Sequence, residues 1–309
     1  MLPIVSDAGY VRPRTLEEAL RILAQPGARV LAGGTDLLPS MKHGLHVPHT
    51  LVAIGHLPEL QGVRVDGDTL VIGAATPLRA VVTHPDVSRL APALGAAART
   101  VGTPTIQAMG TLGGNLALDT RCVYYNQPEG WRRGIGGCLK CDGSVCHVAP
   151  KGRGCYAAHS ADTVPALILL DASVEIHHAD TRDTRVSRVE DLYDGTDGRS
   201  WLRLAPGELI GRIRVPRERT PIAYRKGRLR AAIDYGYLLV AAQRRTDGLH
   251  AVIGAVAPAP VRVHAADVDT LVEAAHAAAQ PLGTHLPSPA WRRRMVAVEL
   301  RRAVASLGG

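Results

Sequence analysis

All five cysteines of this 309-residue chain lie in one stretch, at Cys122, Cys138, Cys141, Cys146 and Cys155. A chain of this length buries an adequate core without covalent staples. The cluster is therefore not needed to hold a small fold together, and it marks a place where something is bound. The stretch is introduced by Thr111-Leu112-Gly113-Gly114-Asn115-Leu116, a glycine pair between apolar residues. Residues 1–10 show neither the basic start nor the apolar run of a signal peptide. The longest apolar runs, 164–170 and 237–242, fall far short of the ~20 residues of a membrane helix. A cytoplasmic protein with no membrane association is expected. In that reducing compartment clustered cysteines more often hold metal than form disulfides.

Phe is absent and aromatic residues make up 4% of the chain, so the core has to be built from Ala, Val, Leu and Ile. The net charge of +8 raises nucleic-acid binding. The basic residues are scattered, however, apart from Arg292-Arg293-Arg294 and Arg301-Arg302, so no nucleic-acid partner is expected. A surface for acidic partner proteins, or a solvated helix face, accounts for the same charge.

Thr15-Leu16-Glu17-Glu18 has the form of a capping box. Leu16, Ala19, Leu20 and Leu23 then repeat at helical spacing up to Pro26-Gly27. Residues 29–32 and 50–54 read as strands on either side of Gly33-Gly34-Thr35-Asp36 and a short helix. Alternation around Asp66-Gly67-Asp68 predicts a hairpin over 60–72. Residues 85–99 read as helix broken near Pro92, 163–170 as helix, and 172–177 and 209–215 as strands, giving a mixed sheet with helices on it. Beyond Pro216, strands at 223–228, 235–244 and 250–257 precede helices at 268–279 and 289–307, with the second strand open to a helical reading. Two apolar stripes are available in the last helix, Trp291/Met295/Val298 and Leu300/Val304/Leu307. The expected fold class is α+β. A two-part domain spans 1–216, with subdomains 1–56 and 57–216 and a cysteine insertion over 119–158. A C-terminal α+β domain, a three-stranded sheet with helices, spans 217–309.

Gly33-Gly34-Thr35-Asp36 and Gly113-Gly114-Asn115 both suit backbone amides that approach an anionic group closely. Each alone reads as an ordinary tight turn, and the two together leave a ligand site and a pair of plain turns equally open. The chain has no Walker loop and no G-x-G-x-x-G after its first strand, which disfavours a Rossmann site.

The run from Leu31 through Leu38 (LAGGTDLL) with Met41-Lys42, and the run from Thr111 through Ala117 (TLGGNLA), resemble the two FAD-binding signatures of the molybdenum hydroxylase flavoprotein subunit. This is the family of the xanthine dehydrogenase FAD domain and the CO dehydrogenase medium subunit. Ile72-Gly73-Ala74, Ser160-Ala161-Asp162 and Leu209-Ile210 fall where the family has them. The resemblance implies a PCMH-type FAD-binding fold with FAD as cofactor. It implies one wall from Val30, Leu31, Ala32, Gly33, Gly34, Thr35 and Asp36, and another from Thr111, Gly114, Asn115 and Ala117. Val101-Gly102 would lie near the flavin and Asp162 near the adenosine or ribitol. Lys226 is carried over against competition from Arg225 and Arg228. Gln107-Ala108 departs from the Arg-Asn frequent in the family.

Most such subunits lack a cysteine-rich insertion. The one resembled here is the β subunit of 4-hydroxybenzoyl-CoA reductase, which implies a [4Fe-4S] cluster. Residues 121–155 carry six Arg or Lys against two acidic residues, which suits thiolates and a negatively charged cluster. Gly134, Gly136, Gly137, Gly143, Gly152 and Gly154 offer amides to the sulfurs. By family spacing the ligands are Cys122, Cys138, Cys146 and Cys155, with an exchange of Cys138 for Cys141 left open. The rival is structural zinc on Cys138, Cys141, Cys146 and Cys155, or with His147 replacing one. His147 and His159 read as solvated loop residues, and Asp162 as a cap for the following helix. No nucleophile or general acid is evident, so the chemistry would belong to the cofactors. The resemblance implies an electron-transfer subunit beside a molybdopterin large subunit and a [2Fe-2S] small subunit, in a dimerised heterotrimer. Electrons would arrive from ferredoxin. The alternatives are a flavin subunit of another molybdenum hydroxylase that passes electrons outward, and a zinc-ribbon module without redox function.

Overall fold

The fold, a computed structural model, describes residues 8–179, 181–230, 233–283 and 287–308. Its first helix, Leu16–Leu23, starts at Thr15, whose hydroxyl accepts from the Glu18 amide at 3.1 Å. The Glu18 carboxylate accepts from the Arg14 amide at 2.7 Å, so the reciprocal half of the capping box sits one residue early. Ala19, Leu20 and Leu23 are buried on one face. They pack with Val52 and Ile54 beside a three-stranded sheet of β1 (Gly9–Val11), β2 (Ala28–Leu31) and β3 (Thr50–Ala53). The order is β1-β3-β2, and both pairings are parallel. Parallel neighbours need crossovers. Helices Leu16–Leu23 and Leu37–Lys42 supply them.

The next unit is antiparallel: β4 (Val63–Asp66), β5 (Thr69–Gly73), β6 (Ser173–His178), β7 (Thr181–Arg188) and β8 (Leu209–Pro216), in the order β4-β5-β8-β6-β7. The mixed sheet expected here is thus wholly antiparallel, and separate from the parallel sheet of the first unit. Strands joined by helices pair parallel, whereas β4 and β5 turn directly through Gly67 at φ +59° and pair antiparallel. Helices Pro85–Leu90 and Pro92–Arg99 are separate because Pro92 opens the second after Ala91 leaves helical geometry at ψ 60°. The core between sheet and helices is aliphatic, with Leu70, Ile72, Val81, Leu94, Leu167, Val174 and Ile213 at 2% exposure or less.

The last unit has four strands rather than the expected three: β9 (Ile222–Gly227), β10 (Leu238–Arg245), β11 (Gly248–Gly254) and β12 (Val261–Ala265), in the order β12-β11-β10-β9. Strand β12 follows a proline-rich loop and is five residues long, so its alternation is too brief to read. Residues 238–242 form an unbroken apolar run because β10 is buried on both faces. Leu238, Val240 and Ala242 meet helices Val268–Ala278 and Pro289–Ala305, while Ala241 joins the middle core. The last helix buries one face, Val296, Glu299, Leu300, Ala303 and Val304, instead of two stripes. Among the described residues no helix is long and apolar enough to cross a membrane.

Leu167 is fully buried in the middle core. Truncation to Ala removes its contacts and leaves a cavity, and is expected to cost about 2–5 kcal/mol. A lowered urea midpoint with unchanged slope would show this.

Candidate functional site

The two glycine segments, distant in sequence, touch. A Cβ placed on Gly33 would stand 1.9 Å from the Met109 carbonyl oxygen, and Gly34 follows at φ +71°. No residue with a side chain fits at Gly33 without moving the backbone ahead of the second signature. That second segment is a single helical turn, Leu112–Leu116, rather than an open glycine turn. The Thr111 hydroxyl caps it by accepting from the Gly114 amide at 3.1 Å. Gly113 lies on Ala74, where an added Cβ would meet the Ala74 Cβ at 2.7 Å. The Gly113 amide donates to the Ala74 carbonyl at 2.8 Å.

Around this contact lies a cleft of about 1050 Å³ lined from all three units. Val30, Ala32, Gly33, Gly34, Thr35 and Asp36 face it from the first unit. Val101, Gly102, Thr111, Gly114, Asn115, Ala117 and Asp162 face it from the second, and Lys226 from the third. Leu31 stands behind the wall, its Cδ1 against the α-carbon face of Gly34. Lys226 Nζ pairs with Asp162 Oδ1 at 2.8 Å and donates to the Thr100 carbonyl at 3.0 Å. Arg225 instead pairs with Glu299. Burial pushes the Asp162 carboxyl up to about 6, against the opposing pull of Lys226. Asp162 therefore does not cap the following helix, Val164–Leu169, whose cap residue is Thr163. Asn115 Oδ1 accepts from the Thr163 amide and hydroxyl at 3.1 and 2.6 Å. Gln107, one of the residues that depart from the family pattern, is buried and donates to the Arg99 and Val101 carbonyls, both at 3.0 Å, which fixes the turn at Gly102. The cleft fits a long, polar, anionic group. Two glycine surfaces have no room for side chains, Lys226 supplies a buried cation, and the buried Ser160 hydroxyl has no protein partner among the described residues.

The cysteine segment leaves the core at one point. Arg121 and Ala158 pair as an antiparallel bridge, with backbone bonds of 2.7 and 2.9 Å. Inside the excursion Arg132 is 1% exposed. It donates to Asp142 Oδ2 at 2.8 Å and to the carbonyls of His43, Gly44 and Gln127. The segment is thereby bound to the end of helix Leu37–Lys42. Cys138 heads a tight knuckle: its carbonyl accepts from the amides of Cys141, Asp142 and Gly143 at 2.9–3.0 Å, and Asp142 Oδ1 accepts from its amide. Gly137 and Gly143 are packed against each other's backbone to allow this. Gly152 packs on Tyr156 and Gly154 on Asp197, while Gly134 and Gly136 have open space. The glycine that packs on a sulfur is Gly198, outside the segment, 3.1 Å from Cys155 Sγ by its absent Cβ.

Cys138, Cys146 and Cys155 are buried and Cys122 half-buried, and none is disulfide-bonded. Burial pushes the Cys122 thiol up to about 11, with the charges of Cys138 and Cys155 adding to the shift. Burial likewise raises Cys138 and Cys155, each with Cys146 close enough to act on it. Cys141 is exposed and lines the cleft. Among the described residues, no three cysteine sulfurs lie within 4.8 Å of one another. His147 bonds the Gly137 carbonyl at 2.6 Å. His159 is not solvated. It is 1% exposed and packed against both Tyr193 and Trp201, and burial lowers it to about 3.

Between cleft and cysteines lies a network that spacing does not reveal. Lys140 Nζ donates to Asp119 Oδ1 at 2.8 Å and Thr120 Oγ1 at 2.6 Å. Tyr125 donates to Asp119 Oδ2 at 2.7 Å and packs with Cys138 and Cys122. Lys140 also lies 4.9 Å over the Tyr125 ring. Burial alone would push the Asp119 carboxyl up. Bonds to His46, Lys140 and Tyr125, with the Lys140 charge, outweigh it and hold the carboxyl well below its ordinary range.

A family model described as "FAD binding domain in molybdopterin dehydrogenase" matches residues 6–218, and the chain belongs to that family. It is an FAD-binding oxidoreductase subunit of the molybdenum hydroxylase type. It is 34% identical over 295 residues to the aldehyde oxidoreductase FAD-binding subunit PaoB of Escherichia coli K12, covering 88% of this chain and 91% of the relative. It is 27% identical to the carbon monoxide dehydrogenase medium chain of Afipia carboxidovorans, covering 97% and 88%. The solved structure of a Cu,Mo-CO dehydrogenase superposes with a TM-score of 0.77 at 26% identity, over 99% of both chains. The expected α+β, PCMH-type fold is borne out.

Gly33→Ala is expected to abolish flavin loading, since the added carbon displaces the Met109 carbonyl. The ratio of flavin absorbance to protein in purified chains measures it. For Asp119, a depressed carboxyl stabilises the fold above its unfolded value and loses that contribution as pH falls. The melting-temperature advantage of wild type over Asp119→Asn is therefore expected to be full above about pH 4 and to shrink below it. At neutral pH the variant leaves Lys140 buried without its partner, a loss of about 3 kcal/mol.

Proposed function

We propose that this chain is the flavin and iron–sulfur electron-transfer subunit of a molybdenum hydroxylase complex. It would work beside a molybdopterin large subunit and a [2Fe-2S] small subunit in a dimerised heterotrimer. Val30 through Asp36 and Thr111, Gly114, Asn115 and Ala117 would hold the FAD diphosphate between the two glycine segments. Val101 and Gly102 would bound the flavin, and Asp162 with Lys226 would bind polar groups along the cofactor. Cys122, Cys138, Cys146 and Cys155 would hold a [4Fe-4S] cluster. When bound, FAD exchanges electrons singly or in pairs and the cluster passes them one at a time. The protein's part is to fix their separation and shield them from water.

One observation carries this reading: four free thiols, three buried and Cys122 half-buried, lie close enough for their charges to act on one another in a segment that borders the cleft, while the fifth, Cys141, is exposed. Tetrahedral zinc at ~2.3 Å from each sulfur would draw its ligands to roughly 4 Å of one another. A cluster spaces its thiolates farther apart because each binds a different iron. Among the described residues no three cysteine sulfurs lie within 4.8 Å of one another, so no tight zinc-type cage stands preformed.

Within this reading the insertion favours a 4-hydroxybenzoyl-CoA reductase-like complex, with ferredoxin delivering electrons at the cluster. A second reading is favoured by the 34% identity to an aldehyde oxidoreductase subunit: electrons leave an oxidised aldehyde or heterocycle and exit through this chain. The complex purified with Cys122, Cys138, Cys146 and Cys155 replaced by Ser is expected to lose iron and inorganic sulfide and keep its flavin. Stoichiometric zinc without iron in the wild type would reject the cluster. Unchanged ferredoxin-driven turnover of an aryl-CoA would reject the entry role. Turnover of aldehydes with an artificial acceptor, without aryl-CoA reduction, would establish the second reading.

A further inference from the structure

We propose that Asp247, His250 and His264 form a binding site for a divalent cation of the zinc class, at the end of the C-terminal sheet away from the cleft. One ligand atom from each lies within 4.8 Å of the other two. His250 and His264 are register partners across β11 and β12, so their side chains leave the same face, with ring centroids 4.4 Å apart. Asp247 sits in the turn between β10 and β11. Its Oδ1 is 2.8 Å from His250 Nε2 and its Oδ2 is 3.9 Å from His264 Nε2. His250 Nε2 thus bonds the carboxylate, while His264 Nε2 bonds the Asp247 main-chain carbonyl at 3.0 Å with the carboxylate beside it, so an ion would take the place of these two hydrogen bonds.

The turn is built to let this happen. Gly248 has φ +134°, and a Cβ there would stand 3.2 Å from His264 Nε2 and 2.6 Å from the Ala265 carbonyl oxygen. Only glycine lets the His264 ring lie over the turn. His250 is 9% exposed and held by the sheet, whereas the side chains of Asp247 and His264 are 60% and 48% exposed. One ligand is thus preset and the other two are open to solvent, which gives an entry path. His250 Nδ1 is buried without a hydrogen-bond partner among the described residues.

The ligand set selects the ion. Two imidazole nitrogens and one carboxylate suit zinc, copper or nickel, whereas calcium and magnesium want oxygen cages. Three protein ligands leave at least one position for water. The bound ion would tie the β10–β11 turn to the edge strand β12. None of these residues touches the flavin cleft or the cysteine segment, so the site stands or falls independently of the function proposed above.

The test is calorimetric titration of ZnCl2 into the purified complex in excess Mg2+, for wild type, His264→Ala and Asp247→Asn, with anomalous diffraction at the zinc edge from soaked crystals. Both substitutions are at exposed side chains, so folding is retained. Loss of an outer partner of a metal ligand costs ~10–100-fold in affinity, and loss of a ligand is expected to cost at least as much. Wild type should show one zinc isotherm that both variants lack, a zinc-dependent rise in melting temperature absent from both, and an anomalous peak between the two Nε2 atoms. Identical isotherms in all three proteins, or anomalous peaks confined to the cysteines, would overturn the proposal.

Discussion

The approach of Gly33 to the Met109 carbonyl is the constraint on which the cleft depends. At that spot two backbones come closer than any side chain tolerates. The parallel unit and the antiparallel unit are joined there without a layer of side chains between them. Because the joint is backbone on backbone, its separation cannot drift with rotamers. The second signature is fixed independently by Gly113 on Ala74 and by hydrogen bonds from the Leu112 and Gly113 amides to the Thr76 and Ala74 carbonyls, just past the end of β5. A ligand spanning both segments meets donors whose spacing is set by main-chain geometry. Such preorganisation reduces the ordering cost of binding.

Charge is used differently on the two sides of the cleft. Asp162 and Lys226 are a buried pair, and burial dominates the carboxyl, leaving it up at about 6. Asp119 is also buried, yet three donors hold it ionised. The first can become neutral at mildly acidic pH, while the second stays ionised well below that. Lys140 is its partner, placed between cleft and cysteines and bonded to Asp119, Thr120 and Gly198. Neither charge is visible in spacing, because each depends on what tertiary packing brings to it.

Much of the architecture was legible because its signals are local. The Thr15 cap, the break at Pro92 and the hairpin at Gly67 each follow from one residue's conformational limits. Strand β12 was missed because five alternating residues after prolines carry too little pattern, and the two-sided burial of β10 hides its period. At the site, the glycine signatures are legible because glycine is required wherever backbones touch. Arg132 was not, since a buried arginine and the neighbouring exposed Arg133 have the same sequence signature. The same holds for His159, whose aromatic stack is assembled from residues 193 and 201. Gly198 approaches Cys155 from a loop far along the chain, and no cysteine spacing announces it.

The bridge between Arg121 and Ala158 has a consequence for how such a subunit acquires its complement of redox centres. Facing residues of an antiparallel bridge lie about 5 Å apart, so the chain enters and leaves the excursion at nearly the same point. A segment with neighbouring ends can be gained or lost in descent while the strands and helices on either side keep their places. The loop-closure cost grows only slowly with length, about 0.6 kcal/mol per doubling. What anchors the excursion is therefore acquired with it: Arg132 belongs to the inserted segment and reaches main-chain carbonyls at His43 and Gly44. Since carbonyls are present whatever the side chain, the host needed no change at those two positions to receive it.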